Sequence, residues 1–381
     1  MPHEAFDQLL DHLGQAFVSE PVLVASPDAA ADAPHTVSER LHVVGYPALS
    51  RSRVEWTNTA ADYLNGYELL QAHPARALLQ LGVGAETIPP AALRDLAQAV
   101  LSGGNDLVLA HYAVPPRAGL VNSAILYPLS RALFGQRARF PLALDLCLSP
   151  RMSERLATAA QRFTAANQPD ALLWPVDEAA LASLIVNDVP VPGRVLPQPT
   201  GMDLNSLLAQ VTGSLFADLD LKAALWQRAR IAQPQRSPSA GSHPVSSPSL
   251  QVAPDELQPM LDSFRLAYTN LREIWSLVLP PQSLFGLKRL AETSAASFRM
   301  PDALWARTIF DFLLAFRLRT LNRGHLLGAL TPLYLAWVAS HLLLISSGAD
   351  AERHVEEQAA AFEADKPYLV SRWRWPDRFN P

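Results

Sequence analysis

The spacing of apolar and polar residues divides the chain into an alternating first part and a helical last part. From Ala5 to Phe17, Leu9, Leu10, Leu13 and Phe17 recur at helical intervals and predict an amphipathic helix. Pro21 to Ser26, Leu41 to Gly45, Arg76 to Leu81 and Asp106 to Ala110 are short, largely apolar runs of the kind that forms strands buried on both faces. Helices are predicted between them, over Thr59 to Ala72 and Pro90 to Leu101. Strands alternating with helices imply an α/β domain with a parallel or mixed sheet covered on both faces. In such sheets chemistry sits at the carboxyl ends of strands, here the loops after Ser26, Gly45 and Leu81.

The stretch Gly119 to Ser149 carries the most information. Val121, Ile125, Leu129 and Leu133 form the stripe of an amphipathic helix, and Gly135 ends it. Arg137 and Arg139 follow, and Phe140 to Ser149 reads as a buried extended run holding one acid, Asp145. A carboxylate there needs a partner or a task, because burying it alone is costly. Beyond it come a helix from Ser153 to Ala166, a strand from Ala171 to Trp174 and an extended piece from Val189 to Leu196. A long helix from Leu204 to about Ala229 completes this part. Gln233 to Val252 is rich in Pro and Ser and reads as a solvated linker, after which the pattern is helical throughout. The domain reading is therefore 1–231 α/β, 232–253 linker and 254–381 all-helical.

Leu326 to Ile345 is apolar enough to suggest a membrane span. Thr331-Pro332 reads as an N-cap with proline at the first helical position, leaving a helix of about 22 Å at 1.5 Å per residue. That is short of the roughly 30 Å hydrocarbon core, so a buried helix is expected and no span.

Composition narrows the classes further. Of 381 residues, 49% are hydrophobic and 18% charged, which fits a globular chain, and the net charge of −5 argues against nucleic acid as a general partner. The single cysteine, Cys147, excludes an internal disulfide framework and reads as a small core residue. Glu4 and Asp7 stand where an export signal would carry positive charge, so cytoplasm is the expected location. His111, His325 and His341 are isolated and read as hydrogen-bonded structural residues. The aromatic and basic tail from Ser371 to Pro381 is expected to pack onto the helical domain rather than stack on nucleic acid.

Asn122-Ser123, Tyr127-Pro128-Leu129-Ser130-Arg131-Ala132-Leu133, Gly135, Arg137, Arg139, Pro141 and Asp145 resemble a segment of a bacterial glycosyltransferase group of the GT-A fold. This group includes mannosylglycerate synthase and glucosyl-3-phosphoglycerate synthase. Leu304 to Arg307, Tyr334-Leu335 and Lys366 to Trp373 extend the resemblance over most of the chain after residue 75. It implies a Rossmann-like GT-A domain, eroded at its N-terminus because the family's first strand has no counterpart here, followed by a helical domain. It also implies a nucleotide-sugar donor, a small hydroxylated acceptor and a divalent metal, Mg²⁺ or Mn²⁺, gripped by Asp-x-Asp and a later histidine. This sequence has Gly82-Val83-Gly84 at the first position, no histidine between Val195 and Thr200, and Ala143-Leu144 where the family has Gly-Gly. No metal is therefore expected as a cofactor. By resemblance Asp145 faces the acceptor, and Asp177 matches an acid close to the reacting sugar. The alternative for each is a helix N-cap or a salt bridge to Arg131, Arg137 or Arg139. Arg51 and Arg53 replace a glycine-rich turn and either bind a diphosphate or are solvated surface residues. Asn122, Arg131 and Arg139 complete the substrate-binding candidates. Two functions are implied: a hexosyltransferase, or a binding or regulatory protein on the same scaffold without turnover.

The linker reading has a direct check. Limited proteolysis should cut first between Gln233 and Val252, releasing an α/β and a helical fragment. A first cut inside Thr59 to Ala72 would refute the domain map.

Overall fold

The computed structural model describes residues 3–27, 35–36, 39–48, 52–228 and 254–376. In chain order the elements are α1 (His3–Ala16), β1 (Val22–Ser26), β2 (His35–Thr36), β3 (Leu41–Gly45), α2 (Ala60–Ala72), β4 (Leu78–Gln80), α3 (Pro90–Leu101) and β5 (Leu107–Tyr112). Then follow α4 (Tyr127–Phe134), β6 (Leu146–Leu148), α5 (Pro150–Ala165), α6 (Pro175–Leu181), β7 (Val186–Val191), α7 (Leu204–Leu221) and α8 (Ala223–Trp226). The last part is helical: α9 (Pro254–Asn270), α10 (Arg272–Val278), α11 (Pro281–Ala291), α12 (Asp302–Leu318), α13 (Arg323–Ser346) and α14 (Ala351–Arg374). The architecture is mixed α/β, rich in helix, with two small mixed sheets.

In the three-stranded sheet β1 and β3 are parallel, and β2 runs against β3. The other sheet has the order β4-β6-β5-β7, with β6 antiparallel to both neighbours and β7 parallel to β5. Because β6 runs backwards, its first residue, Leu146, lies opposite Gln80 and Leu109. Asp145, one residue earlier, therefore arrives at the carboxyl ends of β4 and β5. Of the extended run expected over Phe140 to Ser149, the strand is Leu146–Leu148. Ala171 to Trp174 forms no strand; Leu172 makes a single bridge to Thr59. The helix α2 that follows Thr59 starts where expected, since both the N–H and the hydroxyl of Thr59 donate to Asp62 at 2.8 Å.

The described residues form two compact units, one within 1–113 and 138–200, the other within 114–137, 201–228 and 254–376. The sequence reading placed 114–137 and 201–228 with the α/β domain, whereas here they group with the C-terminal helices. Burial explains the grouping for α4. It is preceded by a π-helical turn over Asn122–Leu126, and all residues from 122 to 134 are buried, so no polar face remains. Its partners are in the helical unit: Trp305 donates to the Ala124 carbonyl at 2.8 Å, and Lys366 to the Leu133 carbonyl at 3.0 Å. Gly135 closes α4 in the left-handed conformation, φ 72°, as expected of a C-terminal glycine. In the same unit α7 joins by ring packing of Phe216 on Phe316 at 5.7 Å. The linker, 232–253, lies outside the described residues.

Pro332 does not start a helix. Asn322 caps α13 through its side chain, and the helix runs 24 residues through Pro332, about 36 Å at 1.5 Å per residue. Proline leaves the Gly328 carbonyl without its helical donor. One residue on, Trp275 donates its indole N–H to the Ala329 carbonyl at 3.0 Å. By length and composition α13 could cross a membrane, but 72% of its most apolar window is buried inside the protein, as in a core helix. The tail behaves as expected as far as it is described: Trp373 is buried, packs edge-on against Trp226 at 4.9 Å and lies under Arg317 at 4.3 Å.

Between α12 and α14, Tyr368 donates to both oxygens of the buried Asp311 at 2.8 and 2.9 Å, and Arg372 lies 3.6 Å away. Burial nevertheless raises the Asp311 carboxyl from 3.8 to about 7. A folded-state value above the unfolded one stabilises fully below about pH 4, and the contribution is lost as pH rises through about 7. Asp311→Asn should flatten this slope in unfolding midpoints measured from pH 4 to 8. An unchanged slope would mean that Asp311 is already ionised at pH 4.

Candidate functional site

The Gly82-Val83-Gly84 turn leaves β4 at the carboxyl edge of the four-stranded sheet. Gly84 adopts φ +83°, and the following 3-10 turn over Ala85–Thr87 is closed by Thr87, whose hydroxyl donates to the Gly84 carbonyl at 2.8 Å. Asp145 meets this turn, its Oδ1 accepting from Gly82 N–H at 3.0 Å. The partner of Asp145 is Arg194, immediately after the left-handed Gly193, with Nε to Oδ2 at 2.7 Å and Nη2 to Oδ1 at 3.2 Å. Both side chains are fully buried. Arg194 also donates to the carbonyls of Val83 at 2.8 Å and Val195 at 2.7 Å. Tyr112, the last residue of β5, donates to Asp145 Oδ2 at 3.0 Å and accepts from Asp145 N–H at 2.9 Å. Burial, then the neighbouring Asp145 carboxylate, hold the Tyr112 phenol well above its usual value, so it stays a donor. The carboxylate thus accepts four hydrogen bonds, which is what allows an ion pair to survive inside a protein.

Space at the two glycines is already taken. A Cβ at residue 82 would overlap the Leu144 side chain, and one at 84 would come within 2.6 Å of Arg194 Nη1. Leu144 and Gly82 are therefore complementary in shape. A metal–diphosphate grip does not fit these residues, since acid side chains at 82 and 84 would displace the leucine and the guanidinium. Among the described residues no cluster of three or more His, Cys, Asp or Glu side chains is arranged to hold a metal. The nearest acid along the sequence, Glu86, lies in the next turn, with its Oε2 buried and without a hydrogen-bond partner.

The remaining candidates are dispersed. Asp145 was expected beside Arg131 or Arg139 at a cleft mouth; it is instead sealed inside by Arg194. Arg131 belongs to the helical unit, where it pairs with Glu356 at 2.5 Å and Glu363 at 3.0 Å, and Asn122 is buried in that unit too. Asp177 is buried in the first turn of α6, where a carboxylate complements the helix dipole. Its neighbour Glu178 pairs with Arg155 at 2.7 Å. Arg53 has an exposed side chain, and its backbone N–H donates to Asp170 at 2.8 Å. Arg51 lies outside the described residues. The backbone of the buried Arg139 donates to Asp188 at 3.3 Å, and the same oxygen holds His111 Nδ1 at 3.1 Å. With His111 39% exposed, this pair presents an oriented imidazole at the carboxyl ends of the parallel β5 and β7. Cys147 is buried, and burial pushes its thiol up to about 12, so it is inert.

No family model matches the chain, and no curated protein matches it. Two residues that organise the site, Arg194 and Tyr112, were not among the sequence candidates. Arg194 carried a usable signal: a lone cation in the apolar, proline-rich run Val189 to Leu196, needing a partner as much as Asp145 did.

Arg194→Met or Asp145→Asn should each cost about 3–5 kcal/mol in urea unfolding, because one change strands a buried charge and the other breaks the pair. The double variant should lose less than the sum by roughly 1–3 kcal/mol. Strict additivity would show that the two residues do not act as a pair.

Proposed function

We propose that this chain is a glycosyltransferase-like scaffold of the GT-A type whose donor-phosphate centre has become a structural ion pair, and that it acts as a binding or regulatory protein without transferring a sugar. One observation carries the reading: the places of the two acid side chains are occupied by Leu144 and Arg194. Arg194 cannot serve as a free diphosphate ligand, because its charge is neutralised by Asp145 and its side chain is fully buried. Support for the scaffold comes from the collinear wording from Asn122 to Asp145 and from Leu304 to Trp373. Residual recognition of a nucleotide sugar or a hydroxylated acceptor would fall to exposed groups such as Arg53. The oriented His111 favours a second reading, in which proton transfer at the sheet edge proceeds without a divalent cation.

Calorimetry with UDP-glucose and GDP-mannose, each with and without Mn²⁺, separates these cases. The expected result is no binding that depends on Mn²⁺. Tight Mn²⁺-dependent binding, weakened by Glu86→Ala, would overturn the proposal. Metal-independent sugar transfer that is lost in His111→Ala would favour the second reading.

A further inference from the structure

We propose that His341 and His354 form a couple able to hold one extra proton but not two, which makes the α13–α14 corner of the helical unit open on acidification. His341 was expected to be a hydrogen-bonded structural residue isolated in sequence; its partner is a second histidine. Both imidazoles are buried, His341 at 2% and His354 at 4% exposure, and their Nδ1 atoms stand 2.7 Å apart. The two rings meet edge to edge, with centroids 4.9 Å apart and planes 27° from parallel, and Trp337 stacks on His341 at 5.0 Å. Trp337 is itself fixed by donating to Gln358 at 2.9 Å. Asp302 of α12 faces the other edge, with Oδ1 3.4 Å from His354 Nε2. On α14, Arg353 and Glu357 pair with each other on the exposed side at 2.9 Å.

Two nitrogens at 2.7 Å accommodate a single hydrogen between them. In the neutral couple one Nδ1–H donates to the lone pair of the other. One added proton preserves that bond, since an imidazolium at position 354 donates to His341 through Nδ1 while its Nε2 faces the Asp302 carboxylate 3.4 Å away. A second proton places N–H against N–H and two positive charges inside the core, so the rings must separate. In the unfolded chain both histidines titrate independently near pH 6.5. Below that pH the unfolded state therefore binds more protons than the folded one, and stability falls as pH falls. The protons belong to the couple rather than to either ring. The corner matters to the unit because Glu356, two residues beyond His354, accepts from Tyr127 at 2.6 Å and pairs with Arg131. Separating the rings would loosen this hold on α4.

The test uses the full chain as wild type, His341→Phe and His341→Gln, with unfolding measured from pH 7.5 to 5.0. Asp311 titrates in the same window with the opposite sign, but it is common to all three proteins, so their difference isolates the couple. Below about pH 6 the wild-type folding constant should fall relative to both variants by up to about tenfold per pH unit. Nitrogen NMR of the folded wild type should show no more than one added proton on the two imidazoles, with amide protection lost first around residues 337–358. Parallel stability profiles would overturn the proposal. If the variants fail to fold, the wild-type titration decides alone: two imidazolium rings at pH 5 with amide protection intact would overturn it equally.

Discussion

The sheet edge from which this chain would be expected to work is built around one buried ion pair. Either side chain alone at that depth would be a polar group cut off from water with nothing to replace it. Together they fix three separate stretches: the end of β4 through Gly82 and Val83, the end of β5 through Tyr112, and the loop after β7 through Val195. Reversal of β6 makes this possible, because it delivers Asp145 to the edge where its two flanking strands end. An edge whose polar groups are this fully engaged with one another is a structural joint, and the proposed loss of turnover follows from that saturation.

The helical unit uses the same device at a different place. Arg131 is held by two glutamates from α14, and against the desolvation of burial the hydrogen bond to Glu363 raises its guanidinium further from deprotonation. Lys366, one turn from Glu363, reaches the carbonyl at the end of α4, and burial lowers its ammonium to about 8. Together these contacts let an entirely buried α4 keep its charged residue. Arg131, from the most informative stretch of sequence, therefore serves a structural end.

Much of the secondary structure was legible because it depends on local chemistry. Thr59 and Asp62 announce α2, Pro90 opens α3, and Gly135 closes α4. Where the sequence misled, long-range packing decided. Thr331-Pro332 looks like a helix start, yet Asn322 caps the helix nine residues earlier, and burial carries it through the proline. Ala171 to Trp174 has the composition of a strand but no partner beyond one bridge. The candidate site was half legible: that Asp145 needed company could be read from its apolar surroundings. Its partner could not be chosen from spacing, since Arg131, Arg139 and Arg194 are all cations and topology alone separates them. His341 is the hydrogen-bonded structural residue that was expected, but its mate could not be read off for the same reason, being thirteen residues away across a turn.

The fit of Leu144 against Gly82 makes this site hard to undo in small steps. An aspartate introduced at 82 collides with the leucine; a glycine introduced at 144 first leaves a hole beneath a bare turn. An acid at 84 must evict the guanidinium, which strands Asp145 in the core. Each path to a cation grip begins with a destabilised protein. The arrangement acts as a ratchet: with the leucine and the arginine seated, selection for stability alone keeps them there.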